Sequence, residues 1–199
     1  MIKLYGYSYQ DRSDRVRWLL EELNIPFENV MLDKKIGLQT EAYLKLNPMG
    51  RVPTVSDGEN VIFESGAVCL YLADKYQNIK LAPDLNSSER AEYLQWMVFS
   101  VASLECVVAR MFTFHDKSEP EINMIKSEVQ NQCHIFKKAL NRVLSQQPFL
   151  LKSGFSAADI MMAAVIPGAA DYLMEPGSPI EKYMKNLMSR PAAIKAKVF

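Results

Sequence analysis

Residues 47–65 read NPMGRVPTVSDGENVIFES, and the fold turns on how this stretch is parsed. Pro53 cannot donate a ladder hydrogen bond, so it belongs just before a strand. Thr54 and Val55 open that strand. Asp57-Gly58 is a tight-turn pair that returns the chain into Val61–Phe63. Glu64-Ser65-Gly66 then leads into a helix with Val68, Leu72 and Tyr76 on one face. The stretch is therefore a turn, an antiparallel hairpin and a helix start in immediate succession.

Upstream, Ile2 to Tyr7 is short, β-branched and aromatic, which predicts a buried strand, followed by the polar loop Ser8 to Ser13. Ser13 suits a helix N-cap, Asp14 suits the positive end of the helix dipole, and Val16, Leu19, Leu20 and Leu23 make an apolar stripe. Asn24 and Pro26 end that helix, and Phe27 to Leu32 forms a second strand. A βαβ unit of this kind joins parallel strands by a right-handed crossover. A short helix is expected around Glu41 to Leu46. The order βαβ then ββα, within about 80 residues, predicts a four-stranded mixed sheet with helices, a thioredoxin-like domain over residues 1–78.

Downstream the pattern changes. Gln77 to Ser88 is polar and carries Pro83, as a linker would. No strand pattern follows. Helices are expected over Ser88 to about Phe114, Glu119 to about Ser145, Ile160 to Ala170 and Ile180 to Met188, with a tail after Pro191. Ser156-Ala157-Ala158-Asp159 resembles a capping box. The fold class is α/β plus all-α, the second domain occupying residues 88–199.

Composition limits the function. The 199 residues are 49% apolar, and 23 Lys plus Arg balance 23 Asp plus Glu. No net field draws the chain to nucleic acid or an anionic membrane, so an anionic ligand must be held by local groups. Cys69, Cys106 and Cys133 are too few and too scattered for a disulfide framework. No metal is expected, because His115 and His134 lack ligand spacing. With no basic-plus-apolar leader and no apolar run near the ~20 residues of a membrane helix, a cytoplasmic location is expected.

The chemistry lies in the opening stretch. A cis Val52-Pro53 bond would expose the Val52 N–H and C=O to an extended peptide, as a strand edge does. Ser65 and the helix N-terminus can hold a carboxylate, and Glu64 can pair with an ammonium. An α-amino acid moiety offers both charges. Each piece alone also fits an ordinary turn and a capped helix; in this order and spacing they fit a peptide ligand.

This pattern resembles the glutathione S-transferase family, whose Asn-Pro-x-Gly-x-Val-Pro, Asp-Gly and Glu-Ser series is met by residues 47 to 68. Ser156-x-x-Asp159 and Arg190-Pro191 extend the likeness across essentially the whole chain. The resemblance implies a glutathione S-transferase fold in which Val52, beside Pro53, pairs with the cysteinyl backbone of glutathione, while Glu64 and Ser65 hold its γ-glutamyl end. Arg51 stands where other members carry a Lys or Gln that assists binding. Gln39 stands where many carry a Lys for the glycyl end.

A hydroxyl that donates a hydrogen bond to the glutathione sulfur would favour the thiolate. Members with a catalytic serine place it three residues before Ser13, at Gln10 here, and no cysteine occurs before Cys69. Ser13 ranks first as the activating group and Tyr7 second, followed by Gln10, whose amide could donate, and Tyr9. Arg12 or Arg15 could act by charge, although Arg15 also reads as structural. The family seats its second substrate between the domains, which makes Cys106, Arg110, Met111 and Phe114 candidate pocket residues. The expected activity is conjugation of glutathione to a small hydrophobic electrophile by a homodimer. The alternative is a non-catalytic relative of the stringent-starvation type. A thioredoxin-like oxidoreductase lacks its cysteine nucleophile at the first helix.

Overall fold

Alternation along Ile2–Gly6 (β1) puts Ile2, Leu4 and Gly6 in the core, with Tyr5 on the opposite face. A computed structural model describes residues 1–9 and 11–199. β1 pairs in parallel with Phe27–Met31 (β2) and antiparallel with Thr54–Asp57 (β3), which pairs antiparallel with Asn60–Phe63 (β4). The sheet order is β2-β1-β3-β4. Leu4 sits opposite both Asn29 and Val55, in the middle of the sheet. The thioredoxin-like reading of the first domain holds.

Helix α1 (Ser13–Glu22) and helix α3 (Ser65–Lys75) pack together beside this sheet. Helix α2 (Glu41–Leu46) brings Tyr43 to the Tyr5 face, their ring centroids 5.8 Å apart. Every residue from Ser13 to Leu20 is buried, so α1 is covered on all sides rather than along one stripe. The additional cover comes from the far end of the chain. The described residues form two compact units, 1–82 with 188–199, and 83–187. The stretch expected as a tail contains a helix, Pro191–Ala196, that lies along α1. Arg190 grips the Glu22 carboxylate through Nε at 2.6 Å and Nη2 at 2.8 Å, the fork geometry suited to guanidinium. Lys195 meets Glu21 at 2.6 Å, and Phe199 stacks edge-on against Trp18.

In the second unit, the first long helix departs from expectation. It runs as Arg90–Val98 (α4), a π-helical stretch over Phe99–Leu104, and Glu105–Arg110 (α5). Phe99 stands edge-on to both Trp96 and Phe136. Ser100 Oγ donates to the Trp96 and Met97 carbonyls within the loosened turn. Glu119–Leu144 (α6) is the longest helix, and its Ser118–Glu121 capping box satisfies the first turn. The expected helix 160–170 is instead Ala157–Ala163 (α7), a 3₁₀ turn over Ile166–Ala169 that accommodates Pro167, and Ala170–Leu173 (α8). Pro179–Met188 (α9) follows, so the helix along α1 is α10. No helix among the described residues is long and apolar enough to cross a membrane.

Asp159 ties this unit together. It accepts from the Leu150 N–H at 2.9 Å, the Ser156 N–H at 2.8 Å and the Tyr183 hydroxyl at 3.0 Å. Burial pushes its carboxyl up to about 6, against those hydrogen bonds. Replacement by alanine leaves two buried backbone donors without an acceptor, at about 1–3 kcal/mol each. Asp159→Ala is expected to lower unfolding stability by about 2–4 kcal/mol in a urea titration. Between its unfolded value, 3.8, and about 6, the folded chain holds a proton that the unfolded chain has released. The group's contribution is therefore complete below the lower value and is lost as the pH rises through the upper one. Asp159→Asn should flatten the melting-temperature profile across that window.

Candidate functional site

The turn 47–53 is built by side chains that point back into it. Gly50 has φ +59°, and a Cβ there would come within 2.8 Å of Gln39 Nε2 and 3.1 Å of the Leu38 carbonyl. Asn47 Oδ1 accepts the Met49 N–H at 3.0 Å. The Arg51 carbonyl accepts from the Tyr43 hydroxyl at 2.6 Å and from Asn47 Nδ2 at 2.7 Å, while the Arg51 side chain is exposed. The Val52-Pro53 bond is cis, as expected. Val52 is half-buried, and among the described residues neither its N–H nor its C=O has a partner.

Glu64 and Ser65 lie at the junction of β4 and α3. Glu64 is exposed with φ 71° and ψ 112°, a conformation that costs a non-glycine residue about 1–3 kcal/mol. Such strain is found where the surroundings fix a backbone for use. Ser65 is the first residue of α3, 5% exposed, and its hydroxyl accepts from Arg15 Nη1 at 3.2 Å. Arg15 is itself buried, so its cation lies close to the N-terminus of α3. Arg15, expected to be structural or to act by charge on the thiolate, instead meets Ser65, fifty residues along the chain.

The loop after β1 is ordered differently from the expectation. Ser13 is the first residue of α1 and does not cap it; the preceding Arg12 makes no side-chain cap. Asp11 supplies the missing acceptor. Its Oδ2 receives the Tyr7 and Ser8 N–H groups, each at 2.9 Å, and its Oδ1 receives the Ser13 N–H at 2.6 Å. Ser13 has no exposed surface, and its hydroxyl accepts from Arg17 Nη2 at 3.0 Å. Arg17 also pairs closely with Asp14, whose carboxyl burial pushes up to about 6, and reaches the Ser8 carbonyl at 3.4 Å. Tyr7 is half-buried, with Lys34 Nζ 5.2 Å from its ring centre. Tyr9 is exposed between Arg17 at 4.6 Å and Lys197 at 4.8 Å. Gln10 lies outside the described residues.

The expected second-substrate residues belong to the other unit. Cys106 is exposed on α5, its thiol 3.5 Å from the Val101 carbonyl across the π-helical stretch. Arg110 pairs with Glu128 of α6, and Lys126 of the same helix lies 5.9 Å from the Phe114 ring centre. Met111 is half-buried. Cys69 is fully buried, which pushes its thiol up to about 12 and makes it a core residue rather than a nucleophile. Among the described residues, no group of three or more His, Cys, Asp or Glu is arranged to hold a metal ion.

A thioredoxin-like sheet domain joined to an all-helical region, with an Asn-Pro-x-Gly-x-Val-Pro turn at the sheet, defines a recognised class of fold. The family model described as the glutathione S-transferase N-terminal domain matches residues 1–74. Glutathione S-transferase 3 of Schizosaccharomyces pombe is 30% identical over 195 residues, covering 91% of this chain and 81% of the relative. The disulfide-bond oxidoreductase YfcG of Escherichia coli is 27% identical over 204 residues, covering 96% and 92%. The solved structure of glutathione transferase URE2P6 from Phanerochaete chrysosporium, in complex with oxidized glutathione, superposes with a TM-score of 0.81. It is 28% identical, with 98% of this chain and 94% of that one covered. The chain belongs to the glutathione S-transferase family.

The close approach of α1 to β1 is testable. A Cβ on Gly6 would stand 2.4 Å from Ser13 Oγ, which Arg17 holds in place. Gly6→Ala should cost about 1–3 kcal/mol of stability, and adding Ser13→Ala should return part of it. Denaturation of both variants gives the comparison.

Proposed function

We propose that this protein binds glutathione through its first unit and transfers the thiolate to a small hydrophobic electrophile. The observation that carries the reading is the pairing of two features in one unit. Among the described residues, the Val52 peptide edge beside cis-Pro53 has no partner, and Ser65 opens α3 with the Arg15 guanidinium against its hydroxyl. The peptide edge suits the extended cysteinyl part of the ligand. The helix N-terminus, Ser65 and Arg15 suit an α-carboxylate, and the exposed Glu64 suits an α-ammonium. Arg51 and Gln39, both exposed beside the turn, are candidates for the glycyl carboxylate, with Gln10 as a further contact. The relatives named glutathione S-transferase, and the neighbour solved with oxidized glutathione, support the same ligand.

Activation of the thiol is assigned to the loop after β1. The enclosed Ser13 hydroxyl is already engaged by Arg17, whereas Tyr7 keeps exposed surface, so Tyr7 moves ahead of Ser13. Cys106, Arg110, Met111 and Phe114 remain the proposed contacts for the electrophile. A twofold dimer in the cytoplasm accompanies this reading.

A second reading is favoured by the burial of Ser13: a member that holds glutathione without activating it. Two measurements separate the readings. Retention on immobilised glutathione with elution by the free tripeptide is expected under both, and failure to bind sinks both. Turnover of a chromogenic aryl halide that requires glutathione supports the transferase. Silence across several electrophile classes, with binding intact, leaves the binding protein. Arg15→Gln and Ser65→Ala should each weaken glutathione binding about ten- to hundredfold, as loss of one hydrogen bond to a charged group does.

A further inference from the structure

We infer that Tyr43, Asn47 and Thr54 are positioning residues for the peptide edge of the glutathione site, acting through the Arg51 carbonyl. The inference rests on the proposed use of Val52, to which it adds the means of control. All three side chains are buried, at 3%, 2% and 0% exposure, and all three converge on one place. Tyr43 and Asn47 both donate to the Arg51 carbonyl. Asn47 Nδ2 also donates to Thr54 Oγ1 at 3.1 Å, and Thr54 Oγ1 lies 2.8 Å from the Tyr43 oxygen.

Counting hydrogens fixes the direction of every bond. The Tyr43 hydroxyl has one hydrogen, spent on Arg51. Asn47 Nδ2 has two, spent on Arg51 and Thr54. The contact between the two hydroxyls must therefore use the Thr54 hydrogen, with the Tyr43 oxygen accepting. The result is a closed ring in which each side-chain donor is committed and both lone pairs of the Arg51 carbonyl are taken.

That carbonyl belongs to the same peptide unit as the Val52 N–H. The Arg51–Val52 bond is trans, so the C=O and the N–H point in opposite directions across one plane. A carbonyl drawn inward by two donors turns the Val52 N–H outward, where it has no partner among the described residues. Two bonds to the oxygen also polarise the amide and strengthen the N–H as a donor. The buried ring thus aims and sharpens the backbone group that would meet the cysteinyl carbonyl, without touching the ligand.

Tyr43→Phe removes one of the two inward bonds with almost no change of shape. Thr54→Val breaks the ring at the other hydroxyl and serves as a second variant should the first fold poorly. Tyr71→Phe is the control; it deletes a hydroxyl bonded to Asp57 at 3.0 Å, away from the turn. Two quantities are read: the affinity for reduced glutathione by calorimetry, and the ¹⁵N resonance of the Val52 amide in the free protein. The expected result is a loss of affinity of about three- to tenfold in Tyr43→Phe, a shifted Val52 resonance, and neither change in the control. General loosening of the fold would not single out the Val52 amide. Unchanged affinity or an unmoved Val52 resonance in both variants overturns the inference. Should the unaltered protein bind no glutathione, the ligand reading fails, and the Val52 resonance still decides whether the ring governs that amide.

Discussion

Helix α1 is enclosed on every side, and this constraint shapes the first unit. A helix with one wet face can carry its charges there at no cost. From Ser13 to Leu20, α1 has no wet face, yet it includes Asp14, Arg15 and Arg17. Buried charges are tolerated only where partners are supplied. Each of the three finds one in the surrounding structure: Arg15 at the start of α3, Arg17 on Asp14, Ser13 and the Ser8 carbonyl. The polar residues of this core helix are the ones that connect it to the loop after β1 and to Ser65. Enclosure also depends on residues far away in sequence. Glu21 and Glu22, at the end of α1, are met by Lys195 and Arg190, so α10 is fastened by charge as well as by the contact of Phe199 with Trp18.

Much of the fold was legible because its punctuation is local. Pro53, Asp57-Gly58 and the Ser156–Asp159 box each act through their own backbone, so residue type and spacing suffice to place a strand start, a hairpin and a helix start. Helix α2 falls where a short helix is expected, and its start is capped locally, the Thr40 hydroxyl accepting the Tyr43 N–H. The parts that escaped depend on distance or on a slight change of period. A π-helical stretch adds about one residue per turn, too little to disturb the apolar pattern that made residues 88–114 read as one helix. The return of residues 188–199 to the first unit is a tertiary event, and nothing within Pro191–Ala196 announces which helix it will cover.

The candidate site divides along the same line. The turn at Val52 and the β4–α3 junction at Glu64 and Ser65 could be read because a short motif dictates their backbone geometry. Asp11 was missed, although an Asp two residues before a helix start is a common acceptor for free N–H groups. Ser13 was preferred because its residue type fits a cap; the structure spends that position on contact with Gly6 and Arg17, and Asp11 takes the N–H groups instead. Arg15 and Tyr43 needed the fold to be known, since each acts on a residue brought near by packing. Gln10 adds nothing to the comparison, as it lies outside the described residues.

Recognition and activation therefore have different sequence requirements. A peptide edge offered by Val52 works through N–H and C=O groups that every residue but proline carries, provided the turn is held. The holding is done by the buried side chains of Tyr43, Asn47 and Thr54, whose replacement disturbs packing. Activation of a thiol needs one donor of the right acidity within reach of one sulfur. A hydroxyl moved by a single residue, as between Tyr7 and Ser8, satisfies the fold equally well and the chemistry not at all. For this reason a turn motif is stronger grounds for a ligand than for a reaction.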